Sequence, residues 1–392
     1  MTKCINLTVR VFQQAEKIAS YSLRLCYSKN GIFAGRRHYD DYWARDAFFA
    51  SFGACRLRDF QLIRKMLAMF AYFQKKNGQI PLRIGDCNII LKFLGIKKHK
   101  KRLNAVYTQD KGLNVPVDQN SLFVIAAHNY IKKSNDINFA KHYLKNLEKA
   151  IRWNFFNSKK LLVQEKHFGN WNDSIKKKGA VLYSNICNYY SVYCLSEICR
   201  LLKLDKKTKI YFALSKVIKK IINENFWNGL FYSDWIHKNK KYNYFSVDGN
   251  ILAILWDVAD KQKAKSILSV LKRTKLEHPV PCRTNYPRYP WYRTSFMLRL
   301  VNMHDYHNKS QAWLWLGAIT AMAKLKIGYK KEARETLERL AHIIIRDKIV
   351  YEVYENDGSI VNRSLYKSER PFAWSAGLFL EALSVYRSNY RF

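Results

Sequence analysis

The sequence is poor in the residues that break chains and has no run that could cross a membrane. Seven prolines and 15 glycines are spread thinly over 392 residues. No Gly/Ser-rich stretch separates two halves, so residues 1–392 read as one domain. No apolar run approaches the ~18 residues of a membrane span, and no membrane partner is expected. The N-terminal "MTKCINLTVRVFQQAEK" lacks the apolar core of a signal peptide, which points to the cytoplasm. The eight cysteines form no CxxC pair, and no histidine cluster completes a zinc spacing. They read as reduced, mostly buried thiols, with no metal and no cofactor expected.

Acidic charge is also scarce. There are 30 Asp plus Glu against 69 Lys plus Arg, a formal net charge of +39. Such a field attracts polyanions. The lysines come in clumps, "IKKHKKR" (96–102), "IKKKG" (175–179) and "KNKKYN" (238–243), where loops are expected. That distribution fits a solvated surface and a biased composition. No nucleic-acid-binding motif accompanies it, so a nucleic-acid partner is not expected.

Helical periodicity dominates what remains. Apolar residues recur at three- and four-residue steps in 11–26, 60–76, 119–133, 136–155, 184–202 and 208–226. The pattern continues in 249–259, 260–273, 310–328, 330–345 and 371–386, with a shorter segment at 41–53. The spacing predicts an all-α chain of about twelve helices. Alternate connections are long: 30–42, 77–118, 156–183, 227–247, 274–308 and 346–370. Helix hairpins stacked in a ring would gather these loops on one face, where sites usually form.

Each long loop carries a polar-aromatic cluster, including "HYDDYWARDAFF" (38–49), "HFGNWNDS" (167–174) and "YEVYENDG" (351–358). Together they point to one aromatic-lined acidic pocket. In "NWNDS", Asp173 stands near Trp171, and a carboxyl held against an apolar ring becomes a proton donor near neutral pH. The competing reading is a helix or turn cap. In "YEVYE", Glu352 and Glu355 face opposite sides if the segment is a strand, so one alone can enter a pocket. The competing reading is a solvated hairpin tip, because "NDG" (356–358) is a turn signal.

These segments resemble those of the six-hairpin (α/α)6-toroid glycosidases. That group holds the glucosidase domain of glycogen-debranching enzymes, trehalases, glucoamylases and related processing α-glucosidases. The debranching "WGRD" stands here as "YWARDAFF", Tyr42 to Phe49, and "NWMD" as Asn170-Trp171-Asn172-Asp173. Glu352 precedes Ala373-Trp374-Ser375, as an acidic strand precedes "AWS" in those enzymes. Gln79-Ile80-Pro81-Leu82 resembles the trehalase "IPNG" loop, and Glu352-Val353-Tyr354-Glu355 its "EKYD" segment. The likeness runs from about residue 30 to 385, with Leu82 and Arg83 replacing Asn-Gly and Asn172 replacing Met.

The resemblance implies an (α/α)6 toroid with long loops on one face. It also implies an inverting glycoside hydrolase acting on an α-glycosidic, in the first instance α-glucosidic, bond of a carbohydrate substrate. Asp173 would be the general acid and Glu352 the general base. Arg45 and Asp46 would hold sugar hydroxyls, with Asp118 and Asp248 as further ligands or helix caps. Trp43, Trp171, Trp291, Tyr292, Trp313 and Trp374 would stack on sugar faces or pack in the core. His307 and Asn308 would line the floor, and Glu355 would support the base. A phosphorylase or a hydrolase of an anionic glycoside on the same fold, a polyanion-binding toroid and an inactive scaffold are the alternatives.

Overall fold

The computed structural model describes residues 2–86, 103–109 and 114–390. The lysine-rich stretch 96–102 and Cys87 lie outside the described residues. The described helices are α1 (Thr2–Leu25), α2 (Ala44–Arg56), α3 (Phe60–Tyr72), α4 (Asp118–Ser134), α5 (Ile137–Phe156) and α6 (Leu182–Leu201). They continue with α7 (Asp205–Phe226), α8 (Val247–Leu255), α9 (Lys261–Arg273), the short α10 (Phe296–Leu300), α11 (Leu314–Lys326), α12 (Lys330–Asp347) and α13 (Ala373–Tyr390). Apart from α10, each answers to one of the twelve periodic segments in the sequence.

Two kinds of helix alternate. α11 buries all of Leu314 to Leu325, whereas α7 buries only Ser215, Ile218, Ile222 and Phe226. A helix apolar all round belongs inside, and one with a single apolar stripe belongs outside. The inner helices α2, α4, α6, α8, α11 and α13 each pack on the next, and α13 closes on α2. The closure depends on glycine. A Cβ on Gly53 of α2 would stand 2.5 Å from the Gly377 Cα of α13, so the two backbones touch directly. Outer helices start from local signals: Asp136 accepts from the Phe139 amide and Asp260 from the Lys263 amide.

Every inner helix is entered from a long loop, so six helix N-termini gather on the loop face. Two-residue ladders tie neighbouring loops together there. Trp43 pairs with Arg83, Tyr286 with Phe245, and Trp313 with Val353. No helix among the described residues is long and apolar enough to cross a membrane. The six cysteines whose side chains are described are free and buried.

Candidate active site

Asp173 lies on the loop between α5 and α6, in a turn that no helix follows, so it caps no helix. Residues the sequence did not single out brace that turn. Buried Glu165 accepts from Asn170 Nδ2 at 2.9 Å and from Ser184 Oγ, and burial pushes its carboxyl up to about 7. Asn170 Oδ1 in turn accepts from the Asn172 amide at 2.7 Å. The Asp173 carboxylate, partly open, has Arg45 Nη1 at 3.6 Å and Gln109 Nε2 at 3.5 Å. Trp171 turns its indole N–H to Asp248 rather than to Asp173.

Arg45 pairs with two acids, Asp118 and Asp173, and lies within electrostatic reach of a third, Asp46. Its Nε donates to buried Asp118 at 2.7 Å, while Asp46 follows it in the first turn of α2. Asp46, Asp118 and Asp248 all sit in the first turns of inner helices, where the helix dipole favours negative charge. Desolvation still raises all three, Asp46 to about 7 against the pull of Arg45. Asp118 pairs with Arg45 and Asp248 accepts from Trp171; each carboxylate also takes a backbone amide of its helix's first turn.

Glu352 is buried at the start of the ladder formed by 353–354 and 312–313. Tyr306 donates its hydroxyl to one carboxylate oxygen and Tyr366 to the other. Burial pushes the Glu352 carboxyl up to about 8, and the two phenols oppose that rise. Tyr39 feels the charge of both Glu352 and Asp173. Asp46 likewise stands within electrostatic reach of both. The loop carrying Tyr39 is fixed by Glu369, whose carboxylate accepts from the amides of Arg36, Arg37 and His38 at 3.0, 2.7 and 2.5 Å.

Aromatic rings pack together around Trp171. Trp171 meets Trp315, His307, Trp313 and Trp374 edge-on, with centroids 4.8, 4.9, 5.6 and 6.0 Å away. Trp374 also stacks on Phe49 at 4.8 Å. His307 Nδ1 lies 3.0 Å from Ser174 Oγ. Trp43 stays partly open, with the Arg83 guanidinium 5.5 Å from its ring. Several buried polar atoms have no protein partner: Arg45 Nη2, Asp118 Oδ1, and the indole nitrogens of Trp43, Trp315 and Trp374. Directional donors and acceptors of that kind suit a polyhydroxylated ligand.

Two expectations are corrected, those for Asn308 and Glu355. Asn308 clamps the Tyr289 backbone with both ends of its amide, at 2.7 and 3.1 Å, so it is structural. Glu355 is held by Arg363 through two 2.7 Å bonds, and Arg363 also grips Asp305. A hairpin turn does follow at 356–358, but Glu352 lies buried behind it. Of the two readings for Trp291 and Tyr292, core packing falls: they are 69% and 55% exposed, beside the point where the backbone of 293–295 pairs with 174–176. Tyr39, Tyr306, Tyr366, Glu165 and Glu369 were not singled out. The 38–49 cluster, which contains Tyr39, was a signal the sequence carried, whereas Glu369 sits in the polar run Lys367-Ser368-Glu369-Arg370 and does not stand out. Among the described residues no group of three or more His, Cys, Asp or Glu is arranged to hold a metal.

The fold is that of the glycoside-hydrolase toroids. A mannosylglycerate hydrolase of glycoside hydrolase family 63 from Thermus thermophilus, in complex with Tris, is similar with a TM-score of 0.71 at 12% identity. The match covers 93% of this chain and 99% of that one. A rhamnosidase from Klebsiella oxytoca with rhamnose bound gives a TM-score of 0.69 at 12% identity, over 95% of this chain and 63% of its own. This chain thus spans less than two thirds of that relative. A search of curated proteins finds no match. The family model described as amylo-alpha-1,6-glucosidase matches residues 19–381, and the chain belongs to that family. The protein is a glycoside hydrolase.

Proposed function

We propose that this enzyme is an inverting, exo-acting glycosidase that cleaves an α-glucosidic or similar α-glycosidic bond. Asp173 gives its proton to the leaving oxygen. A water attacks the anomeric carbon from the opposite side and passes its proton to Glu352. The observation carrying this reading is that Tyr39 and Asp46 lie within electrostatic reach of both carboxyls, which supports grouping the two acids about one pocket. The split of roles rests on hydrogen bonding. Both Glu352 oxygens accept from phenols, which suits a carboxylate that takes a proton rather than one that gives it. Asp173, partly open where Glu352 is buried, is the one placed to reach a leaving group. Arg45, Asp46 and Asp118 would orient hydroxyls, and the rings around Trp171 would end the pocket after one sugar.

The test is proton NMR of the first-formed anomer on a panel of α-linked disaccharides, with Asp173→Asn and Glu352→Gln beside the wild type. The expected result is the inverted anomer, lost by about 10²–10⁴-fold in each variant. Release of the retained anomer, or full activity in either variant, would overturn the reading.

A second reading, an anionic glycoside, is favoured by Arg83. It stands where trehalase-like loops have Gly, lies over the partly open Trp43, and leaves its buried Nε without a partner while Nη1 pairs with Asp41 at 2.9 Å. The structure of the Thermus hydrolase with D-glycerate adds to it. Preference for a glycosyl hydroxy-acid over the matching neutral disaccharide, lost in Arg83→Gln, would select it.

A further inference from the structure

The long connection between α9 and α11 carries a patch that the proposed reaction does not use. Trp291, Tyr292, Phe296, Met297 and Leu300 are each more than half exposed, on the turn 291–293 and the short α10. Phe296, Met297 and Leu300 fall on one side of that helix, at i, i+1 and i+4. Five large apolar side chains within ten residues exceed the scattered exposure of an ordinary surface.

Two of the lysine clumps in the sequence are brought to this patch. The Lys176 amide donates to the Arg293 carbonyl at 2.7 Å, which sets the 175–179 clump beside it. Strand 179–181 continues from that clump into a sheet with 235–237 and 240–242, whose turn holds the second clump. The Arg293 guanidinium joins sheet and patch, 5.0 Å from the Trp235 ring, 5.1 Å from that of Tyr242 and 5.9 Å from that of Tyr292. His237 is held below its ordinary value by desolvation and then by Lys178, Lys238 and Arg293, so cations of all three segments converge there.

No acid within these segments offsets them. The sequence has no Asp or Glu from 174 to 196, from 235 to 247 or from 278 to 304. Lys177 is buried and spent on Asp234 at 2.8 Å, while Lys176 and Lys178 carry no ion pair among the described residues.

An apolar centre with a cationic rim matches one surface chemistry. Anionic headgroups meet the cations, and the apolar side chains enter the boundary between headgroup and acyl chain. Trp and Tyr are the rings that boundary favours. Arg299 lies among them, its guanidinium 5.0 Å from the Trp291 ring and 5.5 Å from that of Phe296. Other occupants match less of the patch. A sugar would use the flat rings but not Met297 or Leu300. A nucleic acid would use the cations and leave the aliphatic side chains in water. A second copy would bring like charges face to face.

We propose that residues 288–300, with the lysines of 176–178 and 238–241, seat this enzyme on an anionic lipid bilayer, lying in its interface rather than spanning it. The expectation of no membrane partner rested on the absence of a spanning run, and an interfacial contact needs none. The net charge of +39 draws the molecule toward such a surface, and the apolar strip selects the side that lands.

The experiment mixes the full chain with vesicles of phosphatidylcholine and phosphatidylglycerol in equal parts, or of phosphatidylcholine alone. Flotation measures the bound fraction. A second readout puts bromine on the acyl chains, which quenches a tryptophan that has entered the boundary, and of the ten tryptophans only Trp291 is exposed. Wild type is expected to bind the anionic vesicles at least about tenfold more tightly than the neutral ones, with quenching. Trp291→Ala/Phe296→Ala should bind them about tenfold more weakly and lose the quenching, with thermal melts showing that it is folded. Arg288→Glu/Lys240→Glu keeps the rings and should lose the preference for anionic lipid. Binding that is equal in wild type and the ring variant, without quenching, reports only the attraction of a basic protein to anions and overturns the proposal. Failure to bind either vesicle does the same. Shielding of Trp291 from acrylamide by maltopentaose or single-stranded RNA, and not by vesicles, overturns it in favour of that ligand. Shielding by raised protein concentration alone overturns it in favour of a second copy.

Discussion

The backbone amide of Glu352 donates to the carbonyl of Glu369 at 3.0 Å, while the Glu369 side chain holds three successive amides of 36–38. One buried acid therefore joins the strand carrying the candidate base to the loop carrying Tyr39. Glu369→Ala would orphan three amides in a buried setting, at about 1–3 kcal/mol for each that water cannot reach. The expected outcome is a fall in melting temperature and a fall in kcat. Glu369→Gln, which keeps an acceptor oxygen, should recover part of both. Equal loss in the two variants would mean that the charge, not the bonding, is what matters.

The Glu352 carboxyl, pushed up to about 8 by burial, sets a pH dependence. A general base works ionised, so kcat/KM should rise as pH climbs through about 8. Tyr366→Phe removes a donor to the carboxylate, which favours the protonated form, and should move the limb about one pH unit further alkaline. A pH–rate profile checks it. Activity that falls through the same range would make Glu352 the acid and reverse the assigned roles.

The same group leaves a mark on stability. Its folded-state value lies above the ordinary carboxylate value of 4.5, so the folded state binds the proton more tightly than the unfolded state. That contribution is complete below the ordinary value and is lost as pH rises through about 8. Glu352→Gln should therefore gain melting temperature relative to wild type between pH 5 and pH 9. A difference that is constant with pH would contradict the sign.

Arg45 and Asp118 form a buried pair at 2.7 Å. Arg45→Met strands the Asp118 carboxylate, and a loss of about 3–5 kcal/mol is expected in denaturant unfolding. Pairing it with Asp118→Leu should restore much of the stability while activity stays lost, because the sugar-orienting donors would be gone. A double variant no more stable than Arg45→Met would show that the pair's neighbours, Asp46 and Asp173, carry the cost.

At the ring seam, Gly53→Ala would bring a methyl within 2.5 Å of the Gly377 Cα, with rigid backbone on both sides. Overpacking of this kind costs about 1–3 kcal/mol, and more when helices must part. Thermal melts should show the loss. Activity per folded molecule should fall too, since α2 carries Arg45 and Asp46.

How far the sequence could be read depended on the range of each interaction. Helices were legible because inner and outer faces write themselves into three- and four-residue periods, and α7 and α11 show the two extremes. Glu352 and Glu355 part because 350–354 are buried on both faces while Glu355 already stands at the edge of the 356–357 turn. The partners were not legible. Tyr306 lies 46 residues from Glu352, and Glu369 lies 333 residues from Arg36, and no local pattern records either pairing. Trp291 and Trp374 had the same two readings, a sugar-stacking ring or a core ring. One faces solvent beside the point where 293–295 pairs with 174–176, the other packs on Phe49, and only the assembled ring distinguishes them.

The glycine seam between α2 and α13 also bears on how the molecule is made. The two helices are separated by most of the chain, yet each is the other's direct neighbour. Until α13 arrives, α2 has one flank of bare backbone and small side chains with nothing against it, and the loop from 36 to 38 has no Glu369 to grip. A ring of this kind joins distant segments last, so closure is the slow, non-local event in folding. Assembly of the pocket is then tied to that final step. A chain caught before closure would carry Asp173 and Arg45 on folded hairpins and still be catalytically silent.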